Sequence, residues 1–239
     1  MSDSRVSSAI QLARQIEDSA RPNPISLCEK FVINVITDKP LKGDGYLVCD
    51  GGFKMIFSSS RITNAHRQKF VISHELGHFL MHGKKLFYCN NISDINSQNV
   101  NTTQEEAEAN DFASELLLPH KEMVDFIPVG NISFSDIFQI ASHFDVSVTH
   151  AAIRAIQNSK SENEILLCYN GQRLKWFESG DKYVYRSMLP NICPIDTENT
   201  KGKMDISGVW DNLYTGWVHQ EIFRPYGSQT LVLLSGDRL

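Results

Sequence analysis

His74-Glu75-Leu76-Gly77-His78 is the stretch on which the fold of this chain turns. Histidines four residues apart lie one helical turn from each other on one face, so both imidazoles can reach a single ion at roughly 2.0–2.1 Å. Glu75 lies about 100° around the helix from His74, beside such an ion rather than on it, where a carboxylate can take a proton from water at the metal. With 8 histidines in 239 residues, random order would give this pattern only about 0.014 times per chain. Its surroundings point the same way. On a helical wheel Ile72, Leu76 and Phe79 form one apolar face, while Val71 sits among His74, His78 and His82 on another. A helix apolar on both sides is a buried helix. Buried imidazoles and a buried carboxylate need partners, and a metal provides them. Asn64 is a natural N-cap for this helix, which is expected to reach about Met81.

A two-histidine zinc site needs a third protein ligand and a fourth position for water. The candidates are Glu105, Glu106 and Glu108, at the start of the next helix. Phe112, Leu116, Ala109, Ala113 and Leu117 define the buried arc of that helix; Glu105 and Glu106 fall inside it and Glu108 outside. Ala109 and Ala113 flank Glu106 at i+3 and i+7, small enough to let this helix approach the histidine helix closely. Geometry leans slightly to Glu106 and leaves Glu105 open, since either could simply cap the helix. His82 stands one turn beyond His78. Its axial separation from His74, about 12 Å at 1.5 Å per residue, keeps it from sharing an ion with that residue. A place behind the ligands, a contact to substrate, a capping role or an ordinary helix end is open to it.

Two segments resemble the ImmA/IrrE family of bacterial metallopeptidases. The first is Arg67-x-x-Phe70-Val71-Ile72-Ser73-His74-Glu75-Leu76-Gly77-His78-Phe79-Leu80-Met81-His82, and the second is Glu106-x-x-Ala109-Asn110-x-Phe112-Ala113-x-x-Leu116-Leu117-x-Pro119. The resemblance implies that His74, His78 and Glu106 are the metal ligands and Glu75 the general base. It covers roughly residues 1–158 and then fades. It implies a zincin-like α+β catalytic domain, in which a small antiparallel sheet packs with the active-site helix. It also implies a protein substrate, a helix-turn-helix repressor of a stress response or mobile element. A His-His-Glu donor set favours zinc, with manganese as the alternative.

Composition sets the outer limits. The chain is 41% hydrophobic and 21% charged, so it can bury a core, and its length fits one or two domains. Its net charge of −5 gives no global electrostatic case for nucleic acid or an anionic membrane. Five scattered cysteines without a C-x-x-C make a poor disulfide framework and fit reduced thiols in the cytoplasm. Charges through residues 1–20 leave no apolar block for a signal peptide, and no apolar run is long enough to span a bilayer. Cys49 or Cys89 could reach a metal as thiolate, but buried idle cysteine is the ordinary reading.

Other elements are placed by pattern. Val6, Ala9, Ile10, Ala13 and Ile16 recur at helical spacing, and Pro24 suits the first position of a short second helix. Phe31–Thr37 reads as a strand, and Gly45–Cys49 with Phe53–Phe57 as a hairpin around Asp50-Gly51-Gly52. Asn90–Thr103 reads as a loop, ending in a capping box of Thr102 with Glu105 or Thr103 with Glu106. Ile137–Ile156 resembles a helix-turn-helix, yet His150, Arg154 and Lys160 offer too little positive charge for a DNA-reading helix. Short strand-like runs follow Ser161. There Trp176, Trp210, Trp217 and Tyr214 could stack on a ligand but fit a core better. His66, His120, His143, His150, His219 and Tyr88 are candidates for stabilising an oxyanion, with nothing to choose among them.

The expectation is therefore three parts: a zincin-like metallopeptidase domain over 1–130, a helix-turn-helix-like pair over 131–160, and a β-rich regulatory or recognition region over 161–239. The competing class is a non-proteolytic zinc-containing regulator that binds a repressor or DNA. A third is a component of a toxin–antitoxin or phage-defence module.

Overall fold

A computed structural model describes residues 2–16, 21–50, 52–82, 87–89, 104–194, 201–204, 210, 212–225 and 227–238. The chain divides into two compact units, Met1–Pro119 with Phe144–Ser147, and His120–His143 with Val148–Leu239.

The first unit opens with helix α1 (Ser2–Ile16), whose Val6, Ala9 and Ala13 are buried. Helix α2 (Pro24–Lys30) begins as expected: Pro24 is in its first turn and Asn23 Oδ1 accepts from the Ile25 N–H at 3.0 Å. Its end differs from the expectation of a strand from Phe31. Ile33 N–H donates to Cys28 O at 2.8 Å and Val32 N–H to Glu29 O at 2.9 Å, with Val32 at φ 59°. This is a Schellman closure with valine where glycine usually stands. It consumes Phe31–Ile33, so strand β1 is only Asn34–Ile36.

Strands β2 (Gly45–Asp50) and β3 (Phe53–Ser58) form the expected antiparallel hairpin, with Leu47 opposite Ile56 and both fully buried. Strand β4 (Phe87–Cys89) adds antiparallel to β2, and β1 adds parallel to β3, giving the order β1-β3-β2-β4. The small sheet is thus antiparallel except at one edge. Helix α3 (Ala65–Met81) starts where its cap places it, Asn64 Oδ1 accepting from Arg67 N–H at 2.9 Å. Every residue from Phe70 to His78 is buried, as two-sided apolarity required. Helix α4 (Gln104–Leu117) packs on α3 so closely that a Cβ at Gly77 would lie 2.9 Å from Phe112 Cδ1. Leu27, Ile33, Leu47, Ile56, Ile72, Leu76, Phe112 and Leu116 share the core of this unit. The Asn90–Thr103 loop and the capping residues Thr102 and Thr103 lie outside the described residues.

The second unit holds helices α5 (His120–Met123), α6 (Phe134–Phe144, but for its last residue) and α7 (Val148–Gln157). They accompany an antiparallel sheet of β5 (Glu164–Asn170), β6 (Arg173–Ser179), β7 (Lys201–Met204), β8 (Tyr214–Phe223) and β9 (Gln229–Arg238), in the order β6-β5-β9-β8-β7. Ile165, Leu167, Tyr169, Phe177, Trp210, Tyr214, Val232 and Leu234 form one core, which settles Trp210 and Tyr214 as packing residues. Trp176 is half-buried, and the side chain of Trp217 lies outside the described residues. The buried Glu164 carboxylate accepts from Ile132 N–H at 3.2 Å and Ser159 Oγ–H at 2.9 Å, tying the approach to α6 and the end of α7 to the sheet. Helix α7 packs on β5 and β6 and buries His150, so that histidine faces protein rather than a phosphate backbone. No helix among the described residues is long and apolar enough to cross a membrane.

Candidate metal centre

Helix α3 delivers both histidines to one place. His74 and His78 are fully buried, and their Nε2 atoms stand 3.0 Å apart. Helix α4 brings the third group: Glu106 Oε2 lies 3.3 Å from His74 Nε2, and its Oε1 lies 3.3 Å from His78 Nε2. These three are the one cluster of potential ligands among the described residues, with a donor atom from each within 4.8 Å of the others. Glu105 is exposed and Glu108 buried, the reverse of what the helical wheel implied. The reason is local: Glu108 turns toward His82 and Gln104, while Glu105 faces solvent.

The donor set fits a divalent ion. Ligands about 2.0–2.1 Å from a tetrahedral centre lie about 3.3–3.4 Å from one another. Each Glu106 oxygen stands at about that length from one of the two histidine Nε2 atoms, and the His–His separation is slightly shorter. The electrostatics agree. Burial alone would raise the Glu106 carboxyl, but the two imidazoles beside it hold it far below the usual carboxylate range. Burial, the largest influence on His78, holds its imidazole below the ordinary value, against the opposing pull of Glu106. Asn110, one turn beyond Glu106, places Oδ1 2.9 Å from His74 Nδ1. With that nitrogen donating, His74 Nε2 is left as the acceptor that a metal requires.

Glu75 follows His74 on α3 and is fully buried. It lies against the start of β2, where a Cβ on Gly45 would come within 3.0 Å of Glu75 Oε1 and 2.6 Å of Val71 Cγ1. Gly45 therefore makes room for this carboxylate. Sequence reading assigned no role to Gly45 or Asn110; a glycine opening a strand and an asparagine one turn after a ligand were the available signals. His82 is the C-cap of α3, with Nδ1 2.9 Å from His78 Nδ1, behind the three ligands rather than among them.

The remaining candidates are placed as follows. His66 Nε2 pairs with Asp145 Oδ1 at 3.1 Å, and Lys69 pairs with Oδ2 of the same carboxylate. His120, His143, His150 and His219 belong to the second unit. The His143 ring lies tilted against Phe126, and His219 meets Glu221. Cys49 is half-buried on β2; the side chains of Tyr88 and Cys89 lie outside the described residues.

Comparison with known proteins bears on this geometry. Residues 28–155 match the family model described as the IrrE N-terminal-like domain of the M78 peptidases. Over 83 residues the chain is 39% identical to Metallopeptidase ImmA of Bacillus subtilis (strain 168). That match covers 35% of this chain and 46% of the relative, so less than half of the relative's length is represented. A solved structure described as a Mycobacterium tuberculosis transcriptional regulator superposes with a TM-score of 0.57, over 98% of this chain and 76% of that one. At 13% identity the likeness is one of fold, the α+β zincin-like architecture.

Proposed function

This chain belongs to the IrrE N-terminal-like family of M78 peptidases, and from that premise we propose that it is a zinc-dependent metallo-endopeptidase. Its substrate is a protein, and the family resemblance favours a cytoplasmic helix-turn-helix repressor of a stress response or mobile element. The observation that carries the catalytic reading is the Glu106 carboxylate, whose two oxygens each stand 3.3 Å from a buried histidine Nε2.

His74, His78 and Glu106 would hold a zinc ion, which would supply Lewis-acid chemistry for polarising a peptide carbonyl and acidifying water. The protein's own groups do the rest. Glu75 accepts a proton from the attacking water as its oxygen bonds to the carbonyl carbon. Glu75 then gives that proton to the leaving nitrogen as the C–N bond breaks. Burial of Glu75 against Gly45 confines its carboxylate to one place, so little orientation is lost at the moment of transfer.

The test uses Glu75→Gln, which keeps size and shape. Incubated with a candidate helix-turn-helix repressor, the zinc-loaded wild-type protein is expected to yield discrete fragments that vanish with chelator. The variant should bind zinc within about threefold of wild type and cut about 10²–10⁴-fold more slowly. Undiminished cutting by pure, loaded Glu75→Gln protein would refute the mechanism. Zinc binding without any cutting by the wild type would favour a non-proteolytic regulator.

A further inference from the structure

Behind His78 runs a second line of polar contacts. His78 Nδ1 stands 2.9 Å from His82 Nδ1, and His82 Nε2 stands 3.0 Å from Glu108 Oε2. Glu108 Oε1 in turn accepts from Gln104 Nε2 at 2.8 Å. The His82 and Glu108 side chains are nearly closed to solvent, at 1% and 2% exposure. Capping explains none of this. As C-cap of α3, His82 uses its backbone N–H, which donates to His78 O at 3.0 Å, and any residue could do that. The imidazole and the carboxylate need another reason to be buried together.

The direction of the line follows from what each group can do. A carboxylate only accepts, so His82 Nε2 carries the proton that faces Glu108. With His82 neutral, its other nitrogen is an acceptor, and His82 Nδ1 can receive a hydrogen bond. The atom facing it is His78 Nδ1, which in that state of His82 is the donor. His78 Nε2 is left with a lone pair, and it faces His74 Nε2 and Glu106. The two histidine ligands are thus supported unequally. His74 leans on the neutral amide of Asn110, whereas His78 leans on an imidazole that is itself anchored by a carboxylate.

We propose that His82 and Glu108 are positioning residues for the metal centre: together they hold His78 as the Nδ1–H tautomer, aim its Nε2, and set the affinity for zinc. Gln104 fixes the rotamer of Glu108. This rests on the reading of His74, His78 and Glu106 as zinc ligands. Partners behind a metal-bound histidine fix its tautomer and raise its basicity, and their loss typically weakens metal binding about 10–100-fold.

Zinc affinity by competition with a chromophoric chelator, together with imidazole ¹⁵N NMR of the zinc-loaded protein, tests the proposal. Wild type is expected to bind one zinc, with His82 as the Nε2–H tautomer and His78 as Nδ1–H. Glu108→Ala should weaken zinc about 10–100-fold. Glu108→Gln, whose amide oxygen can still accept from His82, should recover most of the loss. Circular dichroism of the metal-free proteins checks folding, and if Glu108→Ala does not fold, the wild-type tautomers and Glu108→Gln carry the decision. Folded Glu108→Ala protein with wild-type affinity, or His82 found as Nδ1–H, would overturn the proposal and leave the zinc site standing. A wild-type protein that binds no zinc would overturn both.

Discussion

Gly77→Ala separates two effects that the structure sets against each other. Gly77 lies between the two histidines on α3, and a Cβ there would stand 2.9 Å from Phe112 Cδ1 and 3.2 Å from Phe112 Cβ and Cγ. Ordinary van der Waals contact begins at 3.4 Å, so relief requires a movement of about half an ångström. Phe112 is fully buried, and its Cβ is fixed to the α4 backbone. Rotation of the ring therefore relieves only part of the clash, and the helices must move apart. On propensity alone, alanine in a helix interior is better than glycine by about 1 kcal/mol. Overpacking a filled core costs about 1–3 kcal/mol. The metal-free protein should thus lose a net 0–2 kcal/mol, roughly, which is modest.

The metal centre should suffer more. Glu106 rides on α4 while His74 and His78 ride on α3, so half an ångström between the helices opens both 3.3 Å edges. Ligand distances in a competent site hold within about 0.2 Å, so zinc affinity is expected to fall about tenfold or more. Urea unfolding in chelator measures the first quantity, and chelator competition for zinc measures the second. A Gly77→Ala protein that binds zinc like wild type and is more stable by about 1 kcal/mol would refute the reasoning, because propensity alone would then account for it.

Two further changes test the scaffold. Val32 holds a β-branched residue at φ 59° with its side chain 77% exposed, so Val32→Gly removes backbone strain at little cost in packing. It should raise stability by about 1 kcal/mol in denaturant unfolding, and an unchanged or lower midpoint would count against the strain. Burial pushes the Glu178 carboxyl up to about 7, from an ordinary value of 4.5. The folded chain therefore favours the protonated form, so the stabilisation is complete below pH 4.5 and is lost as pH rises through about 7. The loss amounts to about 3 kcal/mol between pH 4.5 and 8. Glu178→Gln should flatten that slope and be the more stable protein at pH 8; parallel stability curves for the two would contradict it.

What could be read in the sequence depended on whether one residue or a pair of residues made the signal. The start of α3 was legible because Asn64 alone supplies the cap, and its burial because apolar residues occupy both sides of the wheel. The strand expected from Phe31 was cut short because propensity assigns valine to strands and cannot anticipate Val32 closing a helix in the left-handed region. Glu108 was placed outside the buried arc for a related reason. The wheel draws the buried arc from the apolar residues alone, and Glu108 falls outside that arc. Glu108 is buried because His82, 26 residues earlier, is buried with it and satisfies it. Neither residue signals this alone.

The same distinction explains why the third ligand stayed open between Glu105 and Glu106 until a family pattern or a structure was added. Both lie near one arc of α4, and the choice depends on how α4 is set against α3. That setting is read from several contacts at once: Phe112 against Gly77, Asn110 on His74, Glu106 across His74 and His78, and Glu108 on His82. A slip of α4 by one residue would rotate its face by about 100° and break all four together. Close packing at Gly77 and the polar contacts around the histidines are therefore one arrangement rather than two. Glycine at 77 admits the phenylalanine that sets the register, and the register presents Glu106 to the metal position while turning Glu105 to solvent.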